Sequence, residues 1–219
     1  MGLVRGLLAT VIAPVPASDA PGYLFVDFES TGLPFHRDGT PNEHFVPLQV
    51  ATAVVSADLQ VVATYEAKIN AEPEHLAAMD PFVVNMHTET GLLAALEAGE
   101  GKDLEVVDAE LAAFVAEHAQ MLGDAKGKYE MAGNSVSGVD APVMTGFFRA
   151  SNAARSHGVI DVSSGRRAFL RYAPTVDAAF PDSGRNHDAF ADIMGCINEY
   201  RQQTRAGYLL TEGFARTQH

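Results

Sequence analysis

Of the 219 residues only one is a cysteine, Cys196, so no disulfide can close within the chain. A lone thiol suits a reducing compartment, and the expected location is cytoplasmic. Cys196 itself reads as a small buried hydrophobe. No apolar run approaches the roughly 20 residues a membrane helix needs, so no membrane partner is expected. Positive charge is also scarce: 15 Lys and Arg stand against 28 Asp and Glu, for a formal net charge of −13. Such a balance argues against tight, nonspecific wrapping of long duplex DNA. Internal repeats and low-complexity tracts are absent. What is plentiful is apolar material, 47% of the residues, in a length that suits one sizeable core and one domain.

The N-terminus carries Arg5, a short apolar stretch and Ala17-Ser18-Asp19-Ala20, a loose imitation of a secretory signal. Pro14 and Pro16 break that stretch, so residues 1–21 are read as an arm lying on the domain surface. The domain proper is expected over 22–207, with a tail over 208–219. The charge is unevenly spread. Residues 1–140 hold 6 basic and 21 acidic residues, whereas residues 141–219 hold 9 basic and 7 acidic ones. Every basic residue in that last third is arginine, whose planar fork suits phosphate, so this third is the expected place for a phosphate chain.

Along the chain, YLFVDF (23–28) is apolar on both faces and reads as a central strand. Residues 34–46 are polar and turn-rich, a loop. LQVATAVVS (48–56) and LQVVATYEAKI (59–69) read as a hairpin. Helices are expected over 75–86, broken near Pro81, then over 90–98 and over 103–122, the last with Asp103 as its cap. The remainder alternates: strand 129–133, helix 140–150, strand 158–162, helix 164–172, a PDSGRN loop, and a helix from about 187 to 205. Strands followed by alternating helix and strand predict an α/β fold, a mixed sheet with helices on its faces.

The first strand ends oddly, in LFVDFESTGL (24–33). Residues two apart in a strand share a side, so Asp27 and Glu29 project together. Two partly buried like charges repel and resist desolvation. No Lys or Arg lies within the stretch to offset them, and a divalent cation held by oxygen ligands is the simplest answer. Two frayed acids in water would look the same in sequence. Two later stretches favour the cation. AGNSVSGVDAPVM (132–144) delivers Asp140 near the start of a helix, where it could also serve as a cap. NHDAFADIMGCINEY (186–200) places Asp192 beside the buried stripe Ala189, Ile193, Cys196, Ile197 and Tyr200, with His187 at the helix start.

Asp27-x-Glu29-x-Thr31-Gly32-Leu33, then Asp140, then His187-x-Ala189-x-x-Asp192 resemble, in order, the three motifs of the DEDDh 3′–5′ exonucleases. Within that superfamily the likeness is strongest to oligoribonuclease and covers most of residues 23–205. MDPFVVNMHTETGLL (79–93), Gly133-Asn134-Ser135 and IDVSS (160–164) resemble further stretches of that family. The resemblance implies an RNase H-like, exonuclease-type five-stranded mixed sheet flanked by helices. It implies that Asp27, Glu29, Asp140 and Asp192 hold two divalent cations, Mg²⁺ or Mn²⁺, and that His187 takes the proton of the attacking water. Histidine is the side chain whose charge changes near neutral pH, which suits that task. The implied partners are single-stranded RNA or DNA 3′ ends, short RNA foremost, and a homodimer. The implied product is a nucleoside 5′-monophosphate. Leu33 matches the family's wedge beside the terminal bases, Phe82 stands where the family has a tryptophan, and His87 matches its histidine. Thr31 and Gly32 would meet the terminal sugar, and Ser135 a phosphate.

The chain departs from the family in a longer 34–46 loop, in one extra residue between Asn134 and Asp140, and in Gly158-Val159 where the family has an aromatic. A DNA-directed exonuclease is the alternative within the same chemistry. A non-catalytic nucleic-acid-binding scaffold is the alternative outside it, against which stands the presence of all four acids and His187.

Overall fold

The structure is a computed structural model and describes residues 20–177 and 187–217. Residues 181–186, where a loop is expected, and most of residues 1–21, where an arm is expected, lie outside the described residues. Five strands form one sheet: β1 (Tyr23–Ser30), β2 (Pro47–Val55), β3 (Val61–Lys68), β4 (Tyr129–Gly133) and β5 (Arg155–Asp161). Their order across the sheet is β3-β2-β1-β4-β5. The first three pair antiparallel, and β1, β4 and β5 run parallel. The expected mixed five-stranded sheet is thus present, with β1 at its centre.

Why these strands lie here follows from alternation. Leu24, Val26, Phe28, Val50 and Val54 belong to one core layer. Phe25, Ala51, Ala53 and Val55 belong to the other. A strand buried on both faces must be apolar at both parities, and β1 and β2 are. The first layer is closed by Val107, Leu111 and Val115 of α4 (Leu104–Glu117) and by Val143 and Met144 of α6 (Asp140–Phe147). The second is closed by Ala189, Ile193, Cys196 and Ile197 of α10 (Ala189–Thr217). Beyond β3 come α1 (Pro73–Ala77), α2 (Pro81–Glu89) and α3 (Leu92–Glu97). The short α5 (Ala119–Leu122) and α7 (Arg149–Asn152) continue α4 and α6 after breaks, and α8 (Val162–Tyr172) and α9 (Pro174–Asp177) follow β5.

Several expectations shift. The 103–122 helix breaks at His118, whose ring Nδ1 lies 2.8 Å from the Phe114 carbonyl oxygen. Asp103 stands at the start of α4 but caps nothing; its carboxylate instead accepts from Asn70 Nδ2 at 3.3 Å. The 140–150 helix breaks at Phe148, whose ring packs 5.0 Å from that of Phe28. Strand β5 begins at Arg155 rather than 158, and α10 runs past residue 207 to Thr217. The join between α4 and α7 is made by Asp108. Its two carboxylate oxygens accept the Ala150 N–H at 2.8 Å, the Ser151 N–H at 2.9 Å and the Ser151 hydroxyl at 2.6 Å. That buried carboxylate satisfies the N–H groups at the start of α7, which has no cap of its own. Among the described residues no helix is long and apolar enough to cross a membrane.

Candidate active site

The parallel pairing of β1 with β4 ends at Phe25 and Ala132, so β1 runs several residues further than its neighbour. Gly133 closes β4 hard against β1: a Cβ there would lie 2.7 Å from the Val26 carbonyl oxygen, so only glycine fits this approach. Beyond it the chain turns through Asn134 and Ser135 and returns with α6. Asp140, in the first turn of α6, reaches back to β1. Its Oδ1 accepts the Phe28 N–H at 3.0 Å, a donor that β4 no longer serves. Asp140 is therefore an acceptor for a strand amide rather than a helix cap.

Asp27 and Glu29 share the β1 face of Phe25, the face covered by α10. Asp188 starts that helix, accepting the Ala191 N–H at 2.8 Å. The signal for it in sequence is an Asp directly before the first helical residue, a preferred cap position. His187 just before it sits at φ 53°, a left-handed conformation that costs a histidine about 1–2 kcal/mol. Its N–H donates to Asp192 Oδ2 at 3.2 Å, so the motif ties histidine and aspartate together through the backbone. Ligand atoms of Glu29, His187 and Asp192 all lie within 4.8 Å of one another. All four predicted acids and His187 line one open cavity of about 770 Å³.

The electrostatics report what this convergence costs. Burial, then the charges of Asp27, Asp192, Asp140 and Asp188, push the Glu29 carboxyl up to about 9. Burial, then Asp27, hold Asp140 well above the carboxylate range, against the opposing Phe28 N–H bond. Acids kept protonated by burial and then by one another lack a positive charge, and a bound cation would supply it. The donor set is rich in oxygen, which fits a hard divalent cation.

The remaining predicted residues divide. Leu33 is 64% exposed and Phe82 70%, and both line the cavity. Exposure removes core packing as the reason for Phe82. Asp80 caps α2 by accepting the Phe82 N–H at 2.8 Å, which fixes where that ring emerges. Gly32 and Ser135 also line the cavity, the latter held at φ 54° with its N–H donating to Ser163 Oγ at 3.1 Å. Thr31 reaches the cavity too, but its hydroxyl donates to the His44 carbonyl at 2.7 Å and accepts the Val46 N–H at 3.0 Å. It ties down the loop after β1. His87 does not line the cavity; it is wholly buried behind Glu29. Its Nε2–H donates to the Ser30 carbonyl at 2.8 Å, leaving Nδ1 4.0 Å from Glu29 Oε2. Burial holds its pKa below the usual histidine range. None of the described arginines of the C-terminal third lines the cavity, contrary to the expectation from charge distribution.

No family model matches the chain. The oligoribonuclease of Corynebacterium diphtheriae is 34% identical over 184 residues, which is 84% of this chain and 81% of that protein. The oligoribonuclease of Tropheryma whipplei is 29% identical, over 90% of this chain and 98% of that protein. Among solved structures, E. coli exonuclease I in complex with a dT13 oligonucleotide superposes with a TM-score of 0.57 at 18% identity. That match covers 89% of this chain but only 44% of exonuclease I, and it speaks for the shared RNase H-like fold. With a relative this similar over most of both lengths, and with the motif residues gathered in one cavity, the chain belongs to the oligoribonuclease family.

Proposed function

We propose that the chain is a metal-dependent 3′–5′ exonuclease that hydrolyses the terminal phosphodiester of short single-stranded RNA and releases nucleoside 5′-monophosphates. The observation that carries this is the convergence of Asp27, Glu29, Asp140, Asp192 and His187 on one open cavity. The four carboxylates are the groups that would hold two Mg²⁺ or Mn²⁺ ions. Bound there, such ions activate a water and stabilise the departing 3′ oxygen. The chain's own residues do the rest. His187, beside Glu29 and Asp192, accepts the proton of the attacking water. Leu33 and Phe82 offer apolar surface against which bases stack. The cavity volume falls in the range of small-ligand sites, which supports a substrate end rather than a long duplex. The net charge of −13 fits a small, metal-anchored substrate for the same reason. A reducing compartment such as the cytoplasm suits the buried thiol of Cys196.

The test is a gel assay with 5′-labelled RNA and DNA oligomers of several lengths in Mg²⁺, Mn²⁺ or EDTA. Stepwise metal-dependent shortening from the 3′ end, fastest on short RNA, is the expected result, and Asp27→Asn and Asp192→Asn should show none. Faster shortening of DNA would move the reading to a DNA-trimming enzyme. Activity undiminished in EDTA would overturn it.

A further inference from the structure

The cavity has a wall that the motifs do not include. It is the loop between β1 and β2, which folds into a miniature hairpin of its own. Phe35 bridges Pro41, the His36 N–H donates to the Thr40 carbonyl at 2.8 Å, and the Asn42 N–H donates to the Pro34 carbonyl at 2.9 Å. Asn42 Nδ2 donates to the Leu33 carbonyl at 3.1 Å, fastening the hairpin's base. Gly39, at φ 85°, makes the turn. This knitting presents Phe35 and Arg37 along the cavity in a preset direction, which lowers the ordering cost of any contact they make.

Phe35 is 58% exposed, an aromatic ring left in water beside the site. Arg37 is exposed and makes no ion pair with any described residue. It is also the one Lys or Arg among the described residues lining the cavity, against five acids: Asp27, Glu29, Asp80, Asp140 and Asp192. On the exonuclease reading above, four of those acids would be answered by cations, and so would the scissile phosphate. A strand that enters the cavity brings further phosphates, and these face no fixed positive charge except Arg37. A guanidinium fork matches a phosphodiester's two free oxygens.

Resting on the exonuclease reading above, we propose that Phe35 and Arg37 form a second substrate subsite for strands longer than a dinucleotide. Arg37 pairs with a phosphodiester upstream of the scissile one, and the Phe35 ring packs on the adjoining base. The loop extends the site along the strand.

The experiment measures steady-state kinetics with Mg²⁺ on an RNA pentamer and on pentamers that carry one uncharged methylphosphonate at successive upstream linkages. Arg37→Ala should raise KM about tenfold, with the loss falling on KM rather than kcat, and should flatten the salt dependence. Arg37→Lys should recover part of the loss. Phe35→Ala should raise KM several-fold. In the unmodified chain one methylphosphonate position should raise KM by a similar factor, and Arg37→Ala should be blind to that same position. Arg149→Ala, an exposed arginine outside the cavity, serves as the control and should behave like the unmodified chain. If Arg37→Ala and the unmodified chain respond alike at every linkage, or if the loss falls on kcat alone, the subsite is refuted while the exonuclease reading stands. If the unmodified chain shortens no strand under any metal, the exonuclease reading fails and the subsite fails with it.

Discussion

Replacing Glu29 by Gln should stabilise the metal-free protein while silencing it. The reason lies in proton bookkeeping. The Glu29 carboxyl is raised from its model-compound value of 4.5 to about 9, chiefly by burial and then by Asp27. Between those two values the folded chain keeps a proton that the unfolded chain has released. A group raised in this way weakens the fold as pH increases, by about 1.4 kcal/mol per pH unit within the window. From pH 5 to pH 8 the Glu29 contribution to stability should therefore fall by about 4 kcal/mol. Asp140, raised in the same direction, adds to the slope in both proteins. Gln keeps the shape of Glu and cannot titrate, so the stability curves of the two proteins should diverge as pH rises. At pH 8 the variant should be the more stable by about 4–5 kcal/mol. Urea denaturation in EDTA at pH 5, 6, 7 and 8 reads this directly. Adding Mn²⁺ should lift the unmodified chain most at the alkaline end, where fewer protons compete with the cation for the carboxylates. Parallel curves for the two proteins in EDTA would show that Glu29 is not burdened by its neighbours, and the argument for a cation from crowded acids would lose its basis.

Other expectations follow from the geometry. His187→Ala should lower kcat by about 10²–10⁴-fold, while calorimetric titration with Mn²⁺ shows binding retained; wild-type turnover would remove His187 from proton transfer. Phe82→Ala should raise KM by about tenfold, in keeping with a stacking loss of about 1–3 kcal/mol. Because that ring is 70% exposed, the melting temperature should hold, and a large drop in Tm would assign the ring to packing. Asp108→Ala should cost about 3 kcal/mol in denaturant titration, since it strands the buried donors of Ala150 and Ser151. The metal-binding stoichiometry of that variant should be unchanged below its melting temperature.

The chain announces its centre clearly. A strand apolar at both parities must be central, and the structure puts β1 between β2 and β4. The acids of β1 were legible because period-two geometry assigns Asp27 and Glu29 one side. Asp192 was legible because it borders a helical stripe, and Asp140 because a turn precedes a helix. What could not be read concerns contacts between distant segments. Asp108 sits mid-helix and looks like an exposed acid, yet it serves the start of α7 some 42 residues later. His87 matched a family position, but nothing local says that its ring is sealed behind Glu29. The loop after β1 was legible as a loop. That it stands up as a cavity wall depends on bridges such as Phe35 to Pro41, which turn signals do not encode.

One consequence concerns the mismatch in reach between two neighbouring strands. The β1 backbone outruns β4, and its spare amide at Phe28 is claimed by the Asp140 side chain instead of by a strand. Chemistry here occupies a notch that the sheet leaves unzipped. An insertion extending β4 beyond Gly133 would zip the notch shut, offering Phe28 a backbone acceptor and evicting Asp140. The fold would survive such a change, and the acids would lose the gap in which they meet.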